Sequence, residues 1–314
     1  MVQTNSLTSP KERVIVIGGP TCVGKSEYAV DVALKYGGEV VSADSVQIYR
    51  GLDIGSGKIT TEEMRGVPHH MLDIVDPSEN NFSVAMYIER AKHTITDIIQ
   101  RGKLPIIVGG TGFYINALLH GYNCGGSGPN YKLRRRLQAL QAKHKNNYLY
   151  DKLVKITPWT TVHENDLVRI IRQLELLLSP HCDSDDTTAV YYDAYDAVLV
   201  IMDADREKLD ERAARRIEEM FAAGLMKEAE GLRDYFGNRC MDSVGYREVA
   251  DGITYGRSED KIKEDMKISY HRLIKKQQTF FRWLQWKNKV SLYNWERTTA
   301  DACIDKFVRN EQNG

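Results

Sequence analysis

The chain has 314 residues, 42% of them hydrophobic and 27% charged, which suits a globular core with a smaller second lobe and excludes disorder on a large scale. Its 43 basic and 43 acidic side chains cancel, so a polyanionic partner must be met by a local patch and not by net charge. The five scattered cysteines contain no Cys-x-x-Cys pair, which argues against a zinc knuckle or disulfide framework; with polar first residues and only a short apolar run at Val14–Ile17, the expectation is a soluble, cytoplasmic protein with reduced thiols and no membrane span.

The β-branched run Val14–Ile17 predicts a first strand. Directly after it, Gly19, Pro20, Thr21, Cys22, Val23, Gly24, Lys25 and Ser26 satisfy G-x-x-x-x-G-K-[ST] before a predicted helix, the context that gives this motif meaning. The glycines let backbone amides curl around phosphate oxygens, the helix offers its positive end, Lys25 adds a cation and Ser26 can ligate Mg²⁺. Any diphosphate-bearing substrate fits such a cradle, so the turn alone does not separate a kinase from a transferase.

A second strand around Val40 and Val41 delivers Asp44 and Ser45 at its carboxyl end, where open α/β sheets place their ligands. Asp44 there is a base, a metal ligand or a turn cap. His69 and His70 are adjacent with no partner spacing, which points to loop hydrogen bonds in preference to a metal. A helix over about 84–101 is predicted by Ala85, Ile88, Ala91, Ile95 and Ile98 on one face, with Gly102 as its stop. It leads into a third strand, Pro105–Val108, which ends beside Thr111.

After Gly121 come the glycine-rich stretch 124–129 and a basic patch, Lys132, Arg134, Arg135 and Arg136, with no strong strand until Ala197–Ile201. This predicts an inserted helical lobe. From Asp205 onward the pattern is helical, ending in a long basic helix over roughly 258–288. Between Met266 and Val290, Lys267, Arg272, Lys275, Lys276, Arg282, Lys287 and Lys289 alternate with Tyr270, Phe280, Phe281, Trp283 and Trp286, and no acid intervenes. That mixture of phosphate contacts and stacking faces is the one used on single-stranded RNA, although a solvated helix face has the same charges. The expected architecture is α/β: a P-loop NTPase-like core with a parallel sheet flanked by helices at 1–125 and 196–314, and an all-helical insertion at 126–195.

The ordered series Gly19–Ser26, Asp44–Gly55, Pro68–Pro77, Val108–Tyr114, His163–Asp166 with Arg169–Arg172, and Gly245–Glu248 resembles the tRNA dimethylallyltransferase family over most of the chain. The resemblance implies transfer of a dimethylallyl group from dimethylallyl diphosphate to N6 of adenine 37 in the anticodon loop of tRNAs reading codons that begin with U. It implies Asp44 as acceptor of the amine proton, Thr111 as donor to the bridging oxygen of the leaving diphosphate, Arg212 as a neutralising cation, and Mg²⁺ at Ser26 as cofactor. It also implies tRNA contacts at Asp44, Ser45, Val46, Gln47, Thr111, Arg134, Arg169, Ile170, Ile171, Arg172, Gln173, Arg247, Lys275, Lys276, Gln277, Gln278 and Arg282. The expected state is a monomer. The chain reads Lys275-Lys-Gln-Gln-Thr-Phe-Phe-Arg282 where the family often has Lys-Arg-Gln-x-Thr-Trp-Phe-Arg. An adenylate isopentenyltransferase acting on free AMP, ADP or ATP and a P-loop small-molecule kinase are the competing activities.

Overall fold

The structure, a computed structural model, describes residues 11–120, 130–144, 147–178, 194–288, 292–294 and 297–309. The glycine-rich stretch 124–129, Cys124, Cys182 and Lys289 lie outside the described residues. The chain divides into two compact units, one formed by Met1–Gly121 with Tyr192–Gly314 and the other by Tyr122–Tyr191.

The larger unit is built on a parallel sheet of β1 (Arg13–Gly18), β2 (Gly38–Ser42), β3 (His69–His70), β4 (Leu104–Gly109), β5 (Asp196–Asp203) and β6 (Leu292–Asn294) in the order β3-β2-β4-β1-β5-β6. The β-branched runs become the four central strands because helices cover both faces; every residue of β2 and all but the first of β1 and β4 are buried. The two short outer strands, β3 and β6, have too few residues to register as a periodic signal. The chain moves from β1 to β2 on one side of the sheet and from β4 to β5 on the other, so the loops after β1 and β4 part and open a crevice at the carboxyl ends of the strands.

The first half of this unit contributes α1 (Lys25–Tyr36), α2 (Thr61–Met64), α3 (Val84–Gln100) and α4 (Gly112–Leu119). In α3 the buried face is Tyr87, Ile88, Ala91, Ile95 and Ile98, with Ser83 capping its amino end and Gly102, at φ 69°, ending it. Ala85 faces solvent and Tyr87 takes the core position that the spacing gave to Ala85.

The smaller unit packs α5 (Tyr131–Lys143), α6 (Tyr148–Ile156) and α7 (Leu167–Leu178) around Leu137, Leu149, Leu153, Ile170, Ile171 and Leu174. The larger unit resumes with α8 (Arg206–Ala222), α9 (Leu225–Gly231), α10 (Tyr246–Tyr255), α11 (Glu259–Asn288) and α12 (Arg297–Val308). The apolar side of α11 (Ile262, Met266, Tyr270, Ile274, Phe281, Leu284) is buried, and the helix packs on α8, α4 and β5. No helix among the described residues is long and apolar enough to cross a membrane.

Candidate active site

The turn between β1 and α1 is shaped by three residues in the left-handed half of backbone space, Gly19 (φ 148°), Cys22 (φ 64°) and Gly24 (φ 92°). A Cβ on Gly19 would collide with the Met202 carbonyl of β5, so only glycine lets the turn lie this close to the neighbouring strand. Val23 and Pro20 are buried, which leaves the backbone of the turn to face the crevice. Lys25 Nζ donates to the Pro20 carbonyl at 2.6 Å and holds the turn closed. Burial of this ammonium lowers its pKa to about 8, with Asp44 opposing the shift.

Asp44 follows β2 and meets Lys25 and Ser26 in the lining of one cavity of about 1020 Å³. Its Oδ1 accepts from the Val46 amide at 2.8 Å and the Gln47 amide at 3.3 Å. The carboxylate therefore caps its own turn, and Asp44 lines the same cavity as the phosphate-binding turn. Gln47 extends this loop by donating to the Ser56 and Gly57 carbonyls at 3.4 and 3.2 Å.

Thr111 stands after β4, one strand away from Asp44. Its Oγ1 accepts from the Ser45 amide at 3.0 Å and donates to Ser45 Oγ at 3.1 Å, and its own amide donates to the Ala43 carbonyl at 3.2 Å. Thr111 is not among the residues lining the cavity, where Gly109 and Gly110 represent its loop. The sequence-predicted acid and threonine are thus joined through Ser45. Gly109 makes the approach of β4 to β2 possible, because a Cβ there would overlap the Ala43 backbone.

Three arginines of α8, Arg212, Arg215 and Arg216, line the far wall. Arg212 donates to the Cys22 carbonyl at 3.4 Å, and Arg216 to the Gly57 carbonyl at 3.1 Å. Only Arg212 is singled out by the family motif. The i, i+3, i+4 spacing of Arg212, Arg215 and Arg216 was the available signal that all three share a face.

The loop that completes the cavity, Asp53–Thr60, is fastened from outside. Glu228 of α9 accepts from the amides of Asp53, Ile54 and Gly55 at 2.8–3.1 Å and from Tyr246 Oη at 2.6 Å. Lys58, nearly buried, spans Asp53 (2.5 Å) and Asp73 (2.6 Å). His69 Nδ1 lies 2.9 Å from the Val67 carbonyl, and His70 Nε2 lies 2.7 Å from Glu39. Arg101 forks onto the same Glu39 and holds its carboxyl down to about 2.

The residues matched to tRNA contacts fall into two groups. Arg169, Arg247, Lys275, Lys276 and Arg282 are exposed. Arg134 and Arg172 instead converge on Glu175, at 2.7 and 2.6 Å. Burial works against the Glu175 charge, but the two guanidinium groups and the Asn130 amide outweigh it and keep the carboxyl below its ordinary value. The side chains of Ile170 and Ile171 are core of the smaller unit, which leaves only their backbone for contact with a ligand. Gln173 accepts from Thr160 Oγ1 at 2.8 Å. Gln278 is buried and bonded to Asp203, and Gln277 is turned inward to the phosphate-binding turn, so neither amide is displayed on the helix surface.

Residues 47–283 match the family described as IPP transferase. The chain belongs to the IPP transferase family. A tRNA dimethylallyltransferase of Exiguobacterium sp. is 40% identical over 87% of this chain and 88% of its own length. Another, from Halalkalibacterium halodurans, is 37% identical over 96% of both chains. Among solved IPP transferase structures, the full-length tRNA isopentenylpyrophosphate transferase of Bacillus halodurans is 35% identical, covers 96% of this chain and 100% of its own, and superposes with a TM-score of 0.69. A eukaryotic dimethylallyltransferase acting on tRNA is 28% identical, covers 96% of this chain and 80% of its own, and has a TM-score of 0.83. The parallel α/β architecture is that of the family, and the chain is a transferase by this membership.

Proposed function

We propose that the chain transfers the dimethylallyl group of dimethylallyl diphosphate to N6 of adenine 37 in a tRNA anticodon loop and releases diphosphate. The observation that carries this reading is a single cavity lined by Lys25 and Ser26 of the phosphate-binding turn, Asp44, and Arg212, Arg215 and Arg216. Its cations surround the place where negative charge grows.

In the reaction the C1–O bond of the allylic diphosphate breaks, its electron pair leaves with the bridging oxygen, and the adenine nitrogen forms the new bond to C1. The amine proton passes to Asp44. The turn's amides, Lys25 and the α8 arginines stabilise the departing diphosphate as preorganised donors, which in many enzymes is the main source of rate enhancement. Thr111 turns its hydroxyl from Ser45 to the bridging oxygen. An adenine amine is a weak nucleophile because its lone pair is delocalised, and Asp44 orients it; general-base help of this kind is worth ~10²–10⁴-fold. The target base must leave its stack to reach the crevice, which is easiest from a loop.

Ser26 and Asp44 offer hard oxygen donors in the same cavity, and among the described residues no cluster of His, Cys, Asp or Glu forms a dedicated cage. That donor set fits Mg²⁺, which Ser26 would hold. When bound, the ion supplies positive charge to the leaving group. The exposed Arg169, Arg247, Lys275, Lys276 and Arg282 contribute phosphate contacts that position the RNA without taking part in the chemistry.

The reading is tested by incubating the chain with prenyl-labelled dimethylallyl diphosphate, Mg²⁺ and unmodified tRNA, with AMP and ATP in parallel. Label entering RNA, with one diphosphate released per label, supports it. Label entering AMP or ATP alone overturns it in favour of an adenylate isopentenyltransferase, and phosphoryl transfer from ATP without prenyl transfer favours a kinase.

A further inference from the structure

Helix α11 presents Lys275 and Lys276 to solvent and then turns two consecutive amides inward. Gln277 Oε1 accepts from the Thr21 amide at 2.9 Å, and its Nε2 donates to the Gly110 carbonyl at 3.1 Å. The orientation of this amide is set by its partners, since a backbone N–H can only donate and a backbone carbonyl only accept. A Cβ on Gly110 would lie 2.7 Å from Nε2, so a glycine is required for the side chain to reach this backbone. Gln278 makes a second bridge, donating to Asp203 Oδ1 at 2.8 Å and the Ala204 carbonyl at 3.2 Å. One turn of the helix is therefore keyed to the carboxyl ends of β1, β4 and β5.

We propose that Gln277 is a positioning residue: it locks the phosphate-binding turn to the β4–α4 loop and so sets the leaving diphosphate in register with Thr111. The role rests on the prenyl-transfer reading and deepens it. Thr21 belongs to the segment that holds the diphosphate, and Gly110 immediately precedes the residue assigned to its bridging oxygen. The two segments follow separate strands, and Gln277 bonds to both at once. A side chain that only met RNA phosphates would have no use for an acceptor aimed at an amide of the turn. The same bridge ties both segments to the helix that carries Lys275 and Lys276, so RNA held by that helix is held in register with the reacting groups.

Gln277→Met keeps the volume and removes both bonds. Turnover at saturating tRNA and dimethylallyl diphosphate is expected to fall at least about tenfold, toward the ~10²-fold that a misplacement of about 1 Å can cause. Affinity for tRNA should stay within about twofold, because the positioning role predicts no loss of an RNA contact. Inorganic diphosphate should bind several-fold more weakly, since Thr21 loses its tether. Gln277→Glu, which still accepts from Thr21 but cannot donate to Gly110, should fail in turnover as Gln277→Met does. Unchanged turnover in either variant overturns the proposal, as does weaker tRNA binding with intact turnover at saturation. If the wild type transfers no prenyl group to RNA, the functional reading fails; the inorganic diphosphate affinities of wild type and Gln277→Met still decide whether the bridge orders the turn.

Discussion

The turn-capping contact of Asp44 and the base role proposed for it can be separated by a pair of substitutions. Its Oδ1 caps the turn through the Val46 amide at 2.8 Å and, more weakly, the Gln47 amide at 3.3 Å. Asp44→Asn keeps a carbonyl oxygen for those amides and loses the charge and the basicity; Asp44→Ala loses all of them. At helix N-caps, which satisfy backbone amides in the same way, Asn and Asp serve about equally well and replacement by Ala costs about 1 kcal/mol. Asp44→Ala is thus expected to lower unfolding free energy by about 1 kcal/mol and Asp44→Asn by less than about 0.5 kcal/mol. Turnover should fall in both by ~10²–10⁴, the range for a lost general base. The assay is single-turnover transfer of labelled prenyl at saturating tRNA and diphosphate substrate, because loss of the Asp44 charge also removes support for the Lys25 cation and so changes the electrostatics of diphosphate binding. Turnover near wild type in Asp44→Asn refutes the base role and leaves Asp44 as a turn cap.

Lys25, lowered to about 8 by burial, is a cation at neutral pH and loses its proton as pH rises through that value. Affinity for inorganic diphosphate should fall above pH about 8 as binding begins to require proton uptake, while Lys25→Arg, charged throughout, should lack that step; identical pH profiles by calorimetry contradict the shift. The sign for the free protein is the reverse: between about 8 and the ordinary lysine range the folded state holds fewer protons than the unfolded one, so stability rises with pH there. In the smaller unit, Glu175→Gln leaves Arg134 and Arg172 without their shared counter-charge, and since both arginines are about one-third exposed the cost should be ~2 kcal/mol, below the 3–5 typical of a fully buried broken pair. The carboxyl is held below its ordinary value, so this contribution is present at neutral pH and lost as pH falls through the folded pKa; circular dichroism of wild type and variant against pH should converge in acid. Replacing Lys275, Lys276 and Arg282 together by Gln should weaken tRNA binding and flatten its log-log salt dependence by roughly one unit per lost contact, and parallel lines would show that α11 does not touch RNA.

The parts of the fold visible in the sequence are those with a strong local cause. The turn at Gly19–Ser26 needs glycine backbone at fixed offsets, the central strands need continuous β-branched burial, and the length and basicity of the segment 258–288 match α11, Glu259–Asn288, to within a residue or so. Strands β3 and β6 were invisible because two or three residues have no period. The placement of a residue that ends a strand was legible, as with Asp44 and Thr111. It was illegible where tertiary packing decides a polar residue's fate. Gln277 and Gln278 sit in a basic run that reads as surface and yet fill internal bonds, Arg134 and Arg172 read as RNA contacts and meet a buried Glu175, and Arg216 has no motif of its own but comes into the cavity one turn after Arg212.

The most direct test of the account is where the prenyl group ends up. Unmodified tRNA carrying adenine 37, labelled by the wild-type chain, should yield on nucleoside digestion a single labelled product, N6-dimethylallyladenosine, and the same tRNA with guanine at position 37 should take up no label. Label elsewhere in the RNA, retained in the guanine variant, or found only on free adenine nucleotides would contradict the assignment.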